Sequence, residues 1–241
     1  MAKAKNTLFI SDTQFPFEHK DYLRFCKAVV KKFNIKDIIH VGDIFDALNF
    51  SDYERHPDAP SIPDELTATR KAFKQWEKAF PKVRCVVGNH DYRVRRKLDR
   101  AGFSEKYLSL DKIYRDVLHF PKGWSLHDKV ELKLPTYGRV LVLHGDERGA
   151  RVTPGSTMRI KGCSVVRGHH HSKAFVFFEG YDDCMRFDMI VGSGIDKKAV
   201  AFNYNKKDIV KPILACGIIV DGVPQVVPML LKSNGRWVGK V

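Results

Sequence analysis

No apolar run in the chain approaches the roughly 20 residues a helix needs to cross a bilayer, so no membrane-spanning segment is expected. The opening Met1-Ala2-Lys3-Ala4-Lys5-Asn6 lacks the apolar stretch of a secretory leader, and a cytoplasmic location is expected. Cysteine is sparse: five residues, odd in number, no two closer than 21 positions. That spacing excludes a zinc ribbon and a disulfide framework, and reads instead as small buried hydrophobes in a reducing compartment. Repeats, low-complexity tracts and linker-like stretches are also lacking, so residues 1–241 are expected to form one domain. Acid is in short supply. Asp plus Glu number 28 against 42 Lys plus Arg, a net charge of +14, which favours polyanionic partners: nucleic acid, a phosphate-rich surface or anionic lipid.

What is present is ordinary globular material, 44% hydrophobic and 29% charged, enough for a substantial core. Short β-branched runs alternate with amphipathic stretches in the first half. Thr7–Ser11, Asp37–Gly42 and Lys82–Val87 read as strands. Asp21–Phe33, Pro63 to about Ala79, and the strongly basic Tyr92–Ala101 read as helices, the last ended by Gly102. The second half reads mainly as strands: Arg139–Leu143, Cys163–Arg167, Phe175–Phe178, Met185–Val191, Pro212–Val220 and Val223–Leu231. One helix is expected near Pro154–Arg159, and Asp221-Gly222 signals a hairpin. Such an order suggests an α/β sandwich of two packed sheets flanked by helices.

The chemistry sits at the carboxyl ends of these strands. They run into Asp12-Thr13-Gln14, Gly42-Asp43-Ile44-Phe45-Asp46, Gly88-Asn89-His90-Asp91, His144-Gly145-Asp146 and Gly168-His169-His170-His171. Five strands thus deliver Asp, Asn or His to the place where open α/β sheets build their sites. Carboxylate, amide oxygen and imidazole suit borderline-hard divalent ions, and the lack of thiolate argues against a structural zinc site. His40 reads as a core histidine, His170 as pointing away from any metal, and Asp91 as a cap for the following helix.

Taken together, Asp12-x-Gln14, Gly42-Asp43-x-x-Asp46, Gly88-Asn89-His90-Asp91, His144 and Gly168-His169-x-His171 resemble the ordered motifs of the calcineurin-like metallophosphoesterases, over roughly residues 8 to 172. The resemblance implies a four-layer α/β/β/α fold with two mixed sheets and a pair of divalent ions, Mn²⁺ first, with Fe²⁺, Zn²⁺, Ni²⁺ or Mg²⁺ as alternatives. By the same resemblance Asp12 and His171 bind the first ion, Asp43 bridges, and Asn89, His144 and His169 complete the second. Such ions lie about 3.5–4 Å apart and share a hydroxide that attacks phosphorus. His90 would support the leaving oxygen, with Asp46 orienting its ring. Gln14 stands where the family usually has histidine. It implies either a looser, oxygen-preferring first metal or a one-metal site in which Gln14 is only a polar loop residue.

The substrate is read from charge. Arg93, Arg96, Lys97 and Arg100 would share a helix face near the site, and Arg148, Arg151, Arg159, Lys161 and Arg167 add positive charge between the histidine motifs. Arg93, Arg96 and Arg148 are the named candidates for contacting substrate phosphates. Phe15, Phe17, Phe45, Phe50, Tyr53 and Tyr92 could stack on bases, though core packing suits them better. A phosphodiesterase or nuclease acting on DNA or RNA leads. A phosphomonoesterase or pyrophosphate hydrolase, acting on nucleotides, nucleotide conjugates or phosphoproteins, is the alternative. A non-catalytic scaffold on the same fold is a third reading.

Overall fold

Strands β1 (Thr7–Ile10), β2 (Asp37–His40), β3 (Val83–Val86), β4 (Trp124–His127), β10 (Ala215–Val220) and β11 (Val223–Pro228) pair in the order β11-β10-β1-β2-β3-β4. The run β1-β2-β3-β4 is parallel, and β10 and β11 close the other side antiparallel. A second sheet takes the order β5-β6-β7-β9-β8, from β5 (Val130–Leu134), β6 (Gly138–Leu143), β7 (Ser164–Arg167), β8 (Ala174–Gly180) and β9 (Met185–Val191). Here β6, β7 and β9 run parallel, with antiparallel β5 and β8 at the edges. These relations come from a computed structural model that describes residues 5–52, 56–147, 152–182, 184–199 and 210–241.

Side-chain alternation in the strands decides the layering. Along β1, Phe9 points between the sheets with Ile39, Val86, Val142, Val166 and Met189, while Leu8 and Ile10 point to the outer face. That outer face is covered by α1 (Tyr22–Lys32) and α2 (Ile62–Ala79), through Phe25, Cys26, Val29, Phe73 and Trp76. On the far side α5 (Ser156–Lys161) lays Met158 over Leu141, Leu143 and Val165. Strands buried on both faces explain why they read as continuous apolar runs. Two mixed sheets flanked by helices are the architecture expected.

Local chemistry accounts for the element ends. Ser61 caps α2 by accepting from the Asp64 amide at 3.3 Å, and Asp64 and Glu65 sit in its first turn. Asp221 and Gly222 both take left-handed φ values, +48° and +86°, between the paired Val220 and Val223. Strands β4 and β5 were not expected. Four and five residues long, they carry Ser125, Glu131 and Lys133 among their apolar positions. The helix expected to open at Pro154 begins at Ser156, after Gly155 in the left-handed region. Cys26, Cys85, Cys163 and Cys216 are buried and free, as read, while Cys184, also free, is half-buried. No helix of the described residues is long and apolar enough to cross a membrane.

Candidate metal centre

Parallel β1, β2 and β3 of one sheet and β6 and β7 of the other end at a common edge. The loops leaving them bring Asp12, Gln14, Asp43, Asn89, His90, His144, His169 and His171 together. Two donor groups result: Asp43, His144 and His169, and Asp12, Asp43 and His171, the donor atoms of each within 4.8 Å of one another. Asp43 belongs to both. Asp12, Gln14, Asp43 and His169 all adopt positive φ, between 45° and 64°, a backbone state that non-glycine residues rarely hold without support. The support includes Gly88 and Gly168, where a Cβ would overlap the Asp43 carboxylate and the Ser11 hydroxyl respectively.

Hydrogen bonds aim the donors. The His144 Nδ1–H donates to the Val41 carbonyl at 2.8 Å, which turns Nε2 to face Asp43 Oδ1 and Asn89 Oδ1, each at 3.3 Å. Asp43 Oδ1 also accepts from the His90 amide at 2.9 Å, while Oδ2 is buried with no hydrogen-bond partner. On the other side Asp12 Oδ2 accepts from the Ser11 hydroxyl and, at 3.1 Å, from the His169 amide. Its Oδ1 meets His171 Nε2 at 2.8 Å, and the Gln14 amide nitrogen lies 3.3 Å from the same imidazole nitrogen.

The electrostatics are those of a site short of positive charge. Burial alone would raise both carboxyls. His171 nevertheless holds Asp12 below its ordinary range, and His144 and His90 hold Asp43 well below it. Burial would likewise depress His144, yet Asp43 beside it lifts the ring to about 10. An orphaned, buried Asp43 oxygen amid imidazole, amide and carboxylate donors fits divalent cations, so the residues suit the metals that this donor chemistry implies.

Beside this cluster, His90 Nε2 lies 3.7 Å from Asp43 Oδ2 and Nδ1 lies 3.7 Å from Asp46 Oδ2, ion-pair rather than hydrogen-bond distances. Burial pulls the His90 ring down, but Asp43 and Asp46 outweigh it and raise its pKa. Arg93 joins the two: its guanidinium donates to Asp46 Oδ1 at 3.0 Å and to the Asp46 carbonyl at 2.9 Å, and meets His90 Nε2 at 2.9 Å.

A sequence profile described as calcineurin-like phosphoesterase matches residues 5–166. The chain belongs to that family. No curated protein matches it. Among solved structures, Chaetomium thermophilum Vps29 is similar at 12% identity and a TM-score of 0.50, covering 97% of this chain and 94% of that one. The Escherichia coli phosphoesterase YfcE is similar at 14% identity and a TM-score of 0.47, covering 97% and 96%. At such identities the Vps29 likeness speaks to the fold alone.

Within this member of the family, the residues proposed for substrate are placed unevenly. Arg93 is buried against Asp46 and His90 rather than standing on an open face. Arg96 is exposed and donates to the Asn89 carbonyl at 3.2 Å. Lys97 and Arg100 share Asp52. Arg148, Arg151 and Tyr53 lie outside the described residues. Arg167 is wholly buried in a bidentate pair with Asp188, at 2.8 and 2.7 Å, so it serves the core and not a phosphate. Arg159 pairs with Glu179 and Lys161 with Glu147. Phe15 and Phe45 are core residues, and Phe17, Phe50 and Tyr92 are half-buried.

His40 is the buried core histidine expected, its Nε2 2.9 Å from the Thr13 hydroxyl and its pKa pushed by burial down to about 3. His170 enters neither donor group. Asp91 corrects an expectation. Rather than capping α3 (Arg93–Arg100), its carboxylate accepts from the amides of Ile44, Phe45 and Gly88 at 2.8–3.0 Å and from the Tyr114 hydroxyl. It thereby ties the loop after β2 to the loop after β3. Tyr114 arrives on a π-helical turn, Ile113–Val117, that continues α4 (Leu110–Lys112). Ser11 was also missed: only the fold reveals that its hydroxyl occupies one oxygen of Asp12.

Proposed function

We propose that the chain is a dinuclear-metal phosphodiesterase that cleaves nucleic acid. The observation that carries this reading is the shared carboxylate: Asp43 belongs to both donor groups. In this reading Asp12, Gln14 and His171 would hold one cation, Asn89, His144 and His169 would hold the other, and Asp43 would serve both. Mn²⁺ is the first choice for a mixed oxygen and imidazole set, with Fe²⁺, Zn²⁺, Ni²⁺ or Mg²⁺ as alternatives. A bound pair of dications acidifies water and offsets the charge that develops on phosphoryl oxygens.

The chain's own residues do the positioning. His90 contacts the phosphate and supports the leaving oxygen, for which a raised pKa and a place beside Asp43 suit it. Asp46 and Arg93 hold its ring. With two carboxylates, Asp12 and Asp43, facing two dications, the centre keeps a net positive charge that attracts phosphate oxygens. Support for nucleic acid comes from the net charge of +14 and from the basic helix that begins three residues after His90.

The test is turnover with Mn²⁺ of bis-(p-nitrophenyl) phosphate, p-nitrophenyl phosphate, and single- and double-stranded DNA and RNA. Preferred diester turnover with salt-sensitive nucleic-acid cleavage is the expected result. Monoester turnover alone would transfer the chain to the phosphomonoesterases, and silence with every metal would leave the non-catalytic scaffold.

A further inference from the structure

Between Arg93 and Tyr107 the chain carries six basic residues and two acidic ones. Two of the six are buried: Arg93 against Asp46 and His90, and Arg95 under the loop itself. Arg95 is 3% exposed, and its guanidinium donates to the Asp99 carboxylate and to the main-chain carbonyls of Phe103 and Leu108. The loop is tied elsewhere too: the Phe103 amide donates to the Leu98 carbonyl at 2.9 Å, the Tyr107 amide to the Ser104 carbonyl at 3.1 Å, and Lys112 Nζ to the Tyr107 carbonyl at 3.3 Å. The main chain is pinned while the rings face out. Phe103 is 58% exposed and Tyr107 74%. A buried arginine that orders a loop only to hold two aromatic rings in water calls for a ligand with flat apolar faces.

Deepening the nucleic-acid reading above, and resting on it, we propose that Phe103 and Tyr107 form a stacking platform for the bases of a single-stranded nucleic acid, with Arg96, Arg100 and Lys106 facing its phosphates. Charge selects this occupant. Lys97 and Arg100 share the single carboxylate of Asp52, Asp99 is taken by Arg95, and exposed Lys106 lies between the two rings in sequence. Glu105 is the acidic residue of the loop. An apolar protein partner would strip water from these cations without pairing them. A duplex hides its base faces, whereas a single strand offers both phosphates and π-faces. The eight residues of α3 span about 12 Å, so a strand with one phosphate at the metal centre can continue to the platform.

The test is binding of a fluorescent phosphorothioate oligothymidine with Mn²⁺ present, comparing the parent with Phe103→Ala, Tyr107→Ala and the double variant. Each substitution is expected to weaken binding roughly tenfold. The slope of log affinity against log salt should stay unchanged, because no phosphate contact is removed. Arg100→Ala together with Lys106→Ala should lower that slope instead. Turnover of bis-(p-nitrophenyl) phosphate should be untouched in the ring variants. Parental affinity in the ring variants, with oligonucleotide cleavage intact, overturns the platform and spares the nucleic-acid reading. A parent that hydrolyses the small diester yet neither binds nor cuts any oligonucleotide overturns both.

Discussion

The two donor groups that meet at Asp43 are built differently. On one side His144 is locked by the Val41 carbonyl, and Asn89 Oδ1 and Asp43 Oδ1 converge on its free nitrogen. On the other, one oxygen of Asp12 is already committed to Ser11 and the His169 amide, and an amide, Gln14, stands beside His171. In the dinuclear reading a cation on the His144 side would meet an imidazole aimed in advance by a main-chain hydrogen bond. One on the Gln14 side would meet a half-engaged carboxylate, with Gln14 as the counterpart of Asn89. Preorganisation, rather than ligand count, separates them.

Asp43→Asn attacks what the halves share and carries the largest expected effect. Both cations should be weakened together, and diester hydrolysis should fall roughly a thousandfold or more. Metal content by elemental analysis checks it, and loss of only one ion would mean the halves do not share Asp43. His90→Gln should cut turnover by about 10²–10⁴-fold while leaving cation content unchanged, since His90 belongs to neither donor group. A collapse of metal occupancy would make His90 a ligand and redraw both halves.

The loop that carries Asp12 and Gln14 continues into Glu18, whose buried Oε2 has no partner and whose carboxyl burial raises from 4.5 to about 7. The folded state thus holds this proton more tightly than the unfolded one, so stability is greatest below about pH 4.5 and declines as pH climbs through 7. Glu18→Gln should stabilise the protein at pH 8 by about 3 kcal/mol at most and change little at pH 4. Thermal melts at both pH values decide it; equal shifts at the two would show that ionisation is not the cause. Gln14→His should have the smallest effect: a roughly tenfold gain in affinity for the weaker cation as imidazole replaces amide. No gain would place Gln14 outside the site.

Much of this was legible in the sequence because the strands are buried on both faces and read as apolar runs, each ending in glycine or a polar donor. The convergence of Asp12, Asp43, Asn89, His144, His169 and His171 followed from where parallel strands end. Short β4 and β5 escaped because four or five residues with polar interruptions carry little periodic signal. Arg167 and Arg93 misled for another reason. Composition counts a cation as surface charge, while the fold spends Arg167 on Asp188 and Arg93 on Asp46 and His90. Asp91 stood in view beside His90, but its partners lie on the loop after β2 and on Tyr114, contacts that no local pattern encodes.

Calorimetric titration of Mn²⁺ into metal-stripped protein tests the shared-carboxylate centre most directly. Two ions per chain are predicted, one tight and one weaker, with Asp43→Asn weakening both and Gln14→His tightening the weaker alone. A single ion whose affinity is indifferent to Asp43→Asn would contradict the account.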